Sequence, residues 1–279
     1  MSVVKTMKSL AAVNIHHFEG AALSLEQYGK TVDMGWRALL RSGGSLALPK
    51  KTEKPVCLIL GSDQGMCGQF NETIFQAALL KIDELHSAGQ SPVLWTAGER
   101  IRAALEDDGK KVSEHFILPG SVPGIGKTAE ALVNTYEARE GERRVDAFHV
   151  MHHRVLRGGG FEPACVQILP LDAAWVKEVK NLSWPGKCLP LIGTEPNQFT
   201  GHLFQQHLFV TLYRAFAQSM ASENAARLRS MQAAEKNIKE LEERLTGLFR
   251  QTRQGVITAE LLDIISGFES LKDEMDKAS

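Results

Sequence analysis

The hydrophobic positions of this chain change their spacing twice. From Val4 to Leu39 they recur in steps of seven: Val4, Ala11, Phe18, Leu25, Val32 and Leu39 form one column, and Met7, Asn14, Ala21, Tyr28 and Gly35 form a weaker second one. A repeat of 3.5 residues keeps one narrow seam facing a partner, so this stretch reads as a coiled-coil helix. Gly20, Gly29 and Gly35 each cost such a helix up to about 1 kcal/mol relative to alanine, so packing against a partner has to hold it. Gly43 and Gly44 are expected to stop it near residue 42.

Between about 50 and 198 the period shortens. Pro55–Leu60 is a continuous apolar run of the kind found in a strand buried on both faces. Residues 69–88 read as an amphipathic helix, 91–96 as a strand, 100–105 as a short helix, 112–118 as a strand, 128–138 as a helix, and 145–151 and 164–169 as two further strands. Strands alternating with helices predict an α/β domain with a largely parallel sheet. Residues 171–198 carry Pro185, Pro190 and Pro196 and are expected to run irregularly.

From about 199 the helical period returns, with Asn197 or Thr200 as the expected cap. Its cleanest seam has Met231, Ile238, Leu245 and Thr252 in one column and Ala234, Leu241 and Leu248 in the other. Leu261, Leu262, Ile264, Ile265, Phe268, Leu271 and Met275 then spread over a wide apolar face. All ten prolines lie between Pro49 and Pro196, so both flanks are free to form long helices. The expected fold is therefore α/β: an antiparallel coiled coil of long N- and C-terminal helices plus a central Rossmann-like α/β domain. Its parts are 1–48, 49–198 and 199–279, the last pairing with the first.

Composition narrows the function. A net charge of −1 gives no basic field for nucleic acid. No apolar run reaches the roughly 18 residues of a membrane span. Cys57, Cys67, Cys165 and Cys188 show no close pairing, as expected of reduced thiols.

Three patterns invite chemistry. Gly61-Ser-Asp-Gln-Gly65-Met-Cys-Gly68 follows a strand and opens a helix, where a dinucleotide fold cradles pyrophosphate. Its glycine spacing does not fit, and a structural strand–helix turn is the blander alternative. Gly124-Ile-Gly126-Lys127-Thr128 resembles the end of a P-loop, but Ser121 stands where that loop needs glycine. His16-His17, His152-His153 and His202/His207 diverge on their elements and lack completing ligands, so neither a metal nor a cofactor is expected. Along the C-terminal helix Arg227 and Arg253 read either as a solvated face with i, i+4 partners or as forks for a partner's carboxylates.

The residues also carry a resemblance. Ser62 to Asn71 (SDQGMCGQFN) is similar to the SDxGLCGxFN segment of the gamma subunits of F-type rotary ATP synthases. Ser222 to Leu228 and Met231 to Asn237 resemble that family's C-terminal helix. Arg253 to Glu260 resembles its RQxxITxE signature, Ile264 to Gly267 its ending, and Lys5 to Ala12 its first helix. The opening residues and the stretch Val155 to Gly160 resemble the divergent, often sodium-translocating branch. Gly255 and Phe268 depart from the family's small helix formers, and its first helix starts further upstream.

The resemblance implies a central-stalk subunit without catalytic residues or cofactor. It would couple rotation of a membrane ring to nucleotide affinity in a hexamer of alpha and beta subunits. Arg227, Gln254 and Thr258 would contact beta loops, and Leu261, Leu262, Ile264, Ile265 and Phe268 would run in an apolar bearing at the top of that hexamer. Alpha, beta, epsilon and the c-ring would be its partners, without membrane insertion, on the cytoplasmic face of a bacterial plasma membrane. Against this stand a nucleotide-binding α/β enzyme using Gly61–Gly68 and a coiled-coil scaffold that does not rotate.

Overall fold

The computed structural model describes residues 2–43, 52–141, 145–156 and 160–277, without the side chains of 2, 196 and 268–277. Two compact units emerge, one of residues 6–230 and one combining 1–5 with 231–279.

In the larger unit, five strands form one sheet in the order β3-β2-β1-β4-β5. They are β1 (Pro55–Leu60), β2 (Val93–Ala97), β3 (Val112–Phe116), β4 (Ala147–Val155) and β5 (Phe161–Leu169). The first four are mutually parallel, and β5 pairs antiparallel with β4. The strand at the centre explains itself. All six residues of β1 are buried, and their side chains alternate between two layers. Val56, Leu58 and Leu60 join one core with Ile125, Leu132 and Tyr136 of α4 (Val122–Gly141). Cys57 and Ile59 face Ile74 and Ile82 of α2 (Phe70–Ser87), and Ile101 and Leu105 of α3 (Glu99–Asp107) continue that layer. A strand covered on both faces has no polar side to show, hence the unbroken apolar run.

The layer beside α4 is completed by two long helices, α1 (Ser2–Arg41) and the first part of α6 (Pro196–Lys277). Within the unit they run antiparallel. Asn14 meets Asn224, Tyr28 donates to Gln206 at 2.6 Å, and Trp36 packs edge-on against Phe204 at 4.9 Å between ring centres. Phe18, Ala21, Val32, Trp36 and Leu39 enter the same core as Leu203, Leu212, Phe216 and Met220. Fully burying a side chain of this size contributes about 1.5–3 kcal/mol.

The first column of the expected seam holds at Ala11, Phe18, Val32 and Leu39, all buried. The second column fails after Ala21. Tyr28 is 44% exposed, while Gly29 and Trp36, one position further on, are buried. A straight helix drifts by about 20° per heptad against a strict seven-residue repeat, and here the drift has moved the seam by one residue. The close approach of the two helices explains a glycine in it: a Cβ on Gly35 would stand 2.7 Å from Leu203 Cδ2.

Other boundaries also differ from expectation. The helix of residues 128–138 begins at Val122, because Pro123 suits a first turn and the Gly124 N–H bonds to the Ser121 carbonyl. Within the stretch expected to be irregular lies α5 (Ala173–Asn181), whose Asp172 side chain accepts from the Ala174 N–H at 2.9 Å. Neither Asn197 nor Thr200 caps α6, which opens at Pro196, and the Phe199 N–H bonds to the Glu195 carbonyl. Gly44 lies outside the described residues, as do 157–159 of the Val155–Gly160 stretch.

Candidate partner-contact site

Arg227 sits two turns beyond Met220 on the part of α6 that packs against the sheet. Its guanidinium donates to Glu223 Oε1 at 2.7 Å, and the two side chains are only 14% and 10% exposed. Burial pushes the Glu223 carboxyl above its usual range against the pull of Arg227, and the charge of Asp63 adds to the rise. The pair borders a half-open cleft of about 260 Å³ whose walls include Asn14, Asp63, Gln64, Gly120 and Asn224. Arg227 Nε is buried without a hydrogen-bond partner. Glu223, unlike Arg227, belongs to none of the sequence motifs as a contact residue. Their i, i+4 spacing was the available signal.

The glycine-rich segment after β1 closes on itself. Asn71 Oδ1 accepts from the Ser62 N–H at 2.9 Å, and Asn71 Nδ2 donates to Ser62 Oγ at 2.7 Å. Ser62 Oγ in turn donates to the Gln64 carbonyl at 2.8 Å. Gly61 lies against α3, where a Cβ would come within 2.6 Å of Ile101 Cβ. A donor that a phosphate would use is thus occupied by Asn71, and Ser62 and Asn71 act as a turn lock. The P-loop resemblance at Gly124–Thr128 also dissolves, because those residues lie inside α4.

His149, His152 and His153 are buried, whereas His16, His17 and His202 are exposed. His153 is sandwiched by Phe70 and Phe161, with Nε2 2.9 Å from Thr73 Oγ1. Burial lowers it to about 3, and lowers His149 and His207 to about 4. His207 is ringed by Trp36 and Trp175. Among the described residues no group of three His, Cys, Asp or Glu side chains could hold a metal, and no helix is long and apolar enough to cross a membrane.

In the second unit, Gln254 and Thr258 are exposed, and Thr258 Oγ1 donates back to the Gln254 carbonyl at 2.9 Å. Leu241, Leu245, Leu248, Val256, Ile257, Leu261, Leu262, Ile264 and Ile265 are each more than four-tenths exposed. The expected columns at Leu241, Leu245 and Leu248 are therefore uncovered. At about 100° per residue these positions form two rows. Leu241, Leu245, Leu248 and Val256 share one face, Ile257, Leu261, Ile264 and Ile265 lie on another rotated by roughly 165°, and Leu262 falls between the two. Gln254 and Thr258 stand on the second face, directly ahead of Leu261 and Ile265 in the i, i+4, i+7, i+11 series. The Phe268 side chain lies outside the described residues.

The ATP synthase family profile matches residues 1–271. The chain belongs to the ATP synthase family. Curated relatives of this ATP synthase chain are gamma chains. The one from Bacteroides fragilis is 27% identical over 272 residues, covering 95% of this chain and 92% of that protein. That from Nocardioides sp. is 28% identical over 230 residues, covering 81% and 75%. Among solved structures, the central stalk and c-ring of the Tetrahymena thermophila mitochondrial ATP synthase contains a chain of like fold, with a TM-score of 0.59 at 19% identity over 84% of this chain and 99% of that one. A chain in the Euglena gracilis mitochondrial ATP synthase gives 0.57 at 14% identity over 96% and 95%. The match is to the gamma chain of ATP synthase, a rotor subunit that is not itself catalytic.

Proposed function

We propose that the chain turns as the central shaft of an ATP synthase and that the two-faced helix of residues 241–265 is its contact surface inside a hexamer of alpha and beta subunits. The observation that carries this reading is the run of polar and then apolar exposed side chains on one face, from Gln254 and Thr258 to Leu261 and Ile265. Large apolar rows left in water are costly and mark surfaces that meet another protein. On this reading Gln254 and Thr258 hydrogen-bond to beta-subunit loops, and Leu261, Leu262, Ile264, Ile265 and Phe268 slide in an apolar collar. Arg227 contributes a third polar contact. Because it is already paired with Glu223, a beta-subunit carboxylate would have to share or displace that partner.

Residues 1–48 pair with 199–279 as the shaft, and 49–198 form the base that meets the epsilon subunit and the membrane ring. The machine would sit on the inner face of a bacterial plasma membrane, with this chain peripheral to it. Co-expression with matching alpha and beta subunits tests the proposal. A complex whose ATP hydrolysis requires this chain, and slows when Gln254 is changed to Leu, is the expected result. Hexamers that hydrolyse ATP equally well without the chain would reject it.

A further inference from the structure

The part of α6 between Leu208 and Ala226 is buried on nearly every side, and small groups alternate with Leu208, Leu212, Phe216 and Met220 along it. Ala215, Ala217, Ser219, Ala221, Ser222 and Ala226 are all at or below 5% exposure. Packed Leu212, Phe216 and Met220 resist rotation, but a smooth surface of small groups gives the helix few such teeth. Two side-chain hydrogen bonds add direction. Gln218 Oε1 lies 3.0 Å from Nε2 of His152 on β4, and Asn224 Oδ1 accepts from Asn14 Nδ2 of α1 at 3.4 Å. Six residues separate Gln218 from Asn224, so their side chains leave the helix roughly 120° apart. Arg229, over the Phe161 ring at 5.2 Å on the neighbouring strand, reinforces the Gln218 side.

The His152 contact is specific in its protonation. Burial lowers the imidazole from its ordinary value, so it is neutral, and only the tautomer with hydrogen on Nε2 can donate to Gln218 Oε1. Nδ1 is then a bare acceptor, and it has no partner. A buried histidine that spends its single donor on one glutamine fixes that glutamine, and with it the azimuth of α6.

We propose that His152 and Gln218, with Asn14 and Asn224 as the second anchor, key α6 against rotation about its own axis within the α/β domain. They are positioning residues through which torque passes between base and shaft. This rests on the shaft reading above. Buried polar contacts are well attested as devices that set register rather than add stability.

The test uses the assembled complex of this chain with alpha and beta subunits, the hexamer immobilised and a bead attached through biotin on the exposed Cys188, with Cys165, also exposed, changed to Ser in every variant. In the double variant His152→Leu/Gln218→Leu both polar partners are replaced by apolar groups, a change that tends to be nearly neutral for stability. The angular variance of the bead during catalytic pauses is expected to roughly double, because the side-chain hydrogen bond that ties this part of α6 to the sheet is lost while those to α1 stay. ATP hydrolysis should stay at the wild-type rate. Gln218→Met serves the same purpose should the double variant not fold. An unchanged variance overturns the proposal. So does an equal broadening in Met220→Ala, which loosens the same interface without touching a polar group. Failure of the wild-type complex to rotate at all would instead reject the shaft reading.

Discussion

Glu223 and Arg227 form a 2.7 Å ion pair one helical turn apart at the wall of a half-open cleft, with both side chains at least 86% buried. Such a pair is not a strong source of net stability, but removing one member strands the other. Loss of one partner from a buried pair costs about 3–5 kcal/mol. Arg227→Ala should therefore lower the melting temperature more than Glu223→Gln, which leaves a neutral acceptor beside the guanidinium. The deficit should also depend on pH. Without Arg227 nothing opposes the burial that raises Glu223, so the orphaned carboxyl protonates as pH falls and its cost fades. Thermal melts at pH 8 and pH 5 check this: the gap between Arg227→Ala and wild type should narrow at pH 5, and a constant gap would reject the stranded-charge account.

Gly61 is the second point where a single atom matters. Its neighbour is Ile101 Cβ, an atom anchored to the backbone of α3 and unable to swing away. Gly61→Ala should force β1 and α3 apart, with the cost of overpacking, about 1–3 kcal/mol. Gly120→Ala, where a Cβ meets nothing within 4 Å, should leave stability within about 0.5 kcal/mol. Urea unfolding of the two variants distinguishes them, and equal midpoints would mean that the contact at Gly61 relaxes freely.

What could be read in advance followed from period and punctuation. The six-residue run of β1 announced a strand covered twice, and the proline-free flanks announced the two long helices. The drift of the seam to Gly29 and Trp36 could not be seen from a seven-residue template, because it reflects the mismatch between 3.6 and 3.5 residues per turn. α5 was masked by the prolines around it, although Asp172 carried the cap signal. The antiparallel entry of β5 depends on pairing with β4, not on its own pattern. At the site, the wide apolar face from Leu261 onward was legible from its helical spacing, whereas Gln254 and Thr258 stood out only through the RQxxITxE resemblance. The roles of Glu223, Gln218 and His152 were not legible, since each is defined by a partner distant in sequence or by burial.

The buried histidines give the chain an acid-sensitive stability. His149, His153 and His207 sit at about 4, 3 and 4 in the fold against 6.5 when unperturbed. Above pH 6.5 they are neutral in both states and contribute no pH dependence. Below it the unfolded chain binds protons that the folded chain refuses, so stability falls by up to about 1.4 kcal/mol per pH unit for each histidine until the native value is reached. The charges facing them are Lys81 and Glu84 at His149, His152 at His153, and Arg214 at His207. The raised carboxyls of Glu140 and Glu223 act in the opposite sense, since the fold is relieved when they protonate. That relief grows as pH falls and offsets part of the loss from the histidines. Calorimetry at pH 7.5, 6 and 5 should show a steady fall in melting temperature, and a flat profile would contradict neutral burial of the three imidazoles.

Leu261 and Ile265 separate a contact role from a structural one. Both are exposed, at 57% and 44%, and both lie on the face that carries Gln254 and Thr258. Placing a carboxylate at either position removes no core contact, so Leu261→Asp and Ile265→Asp should leave the melting temperature of the isolated chain almost unchanged, as surface substitutions usually do within about 0.5 kcal/mol. In the complex with alpha and beta subunits the same charges would be pressed against an apolar collar, where burying an unpaired carboxylate costs several kcal/mol. Assembly or ATP-driven turnover should then fall at least tenfold, whereas Leu241→Asp, on the opposite row of the helix, should have a smaller effect on turnover. Equal losses from both rows would show that the helix is gripped on all sides, and no loss from either would remove the apolar row at Leu261 and Ile265 as the contact surface.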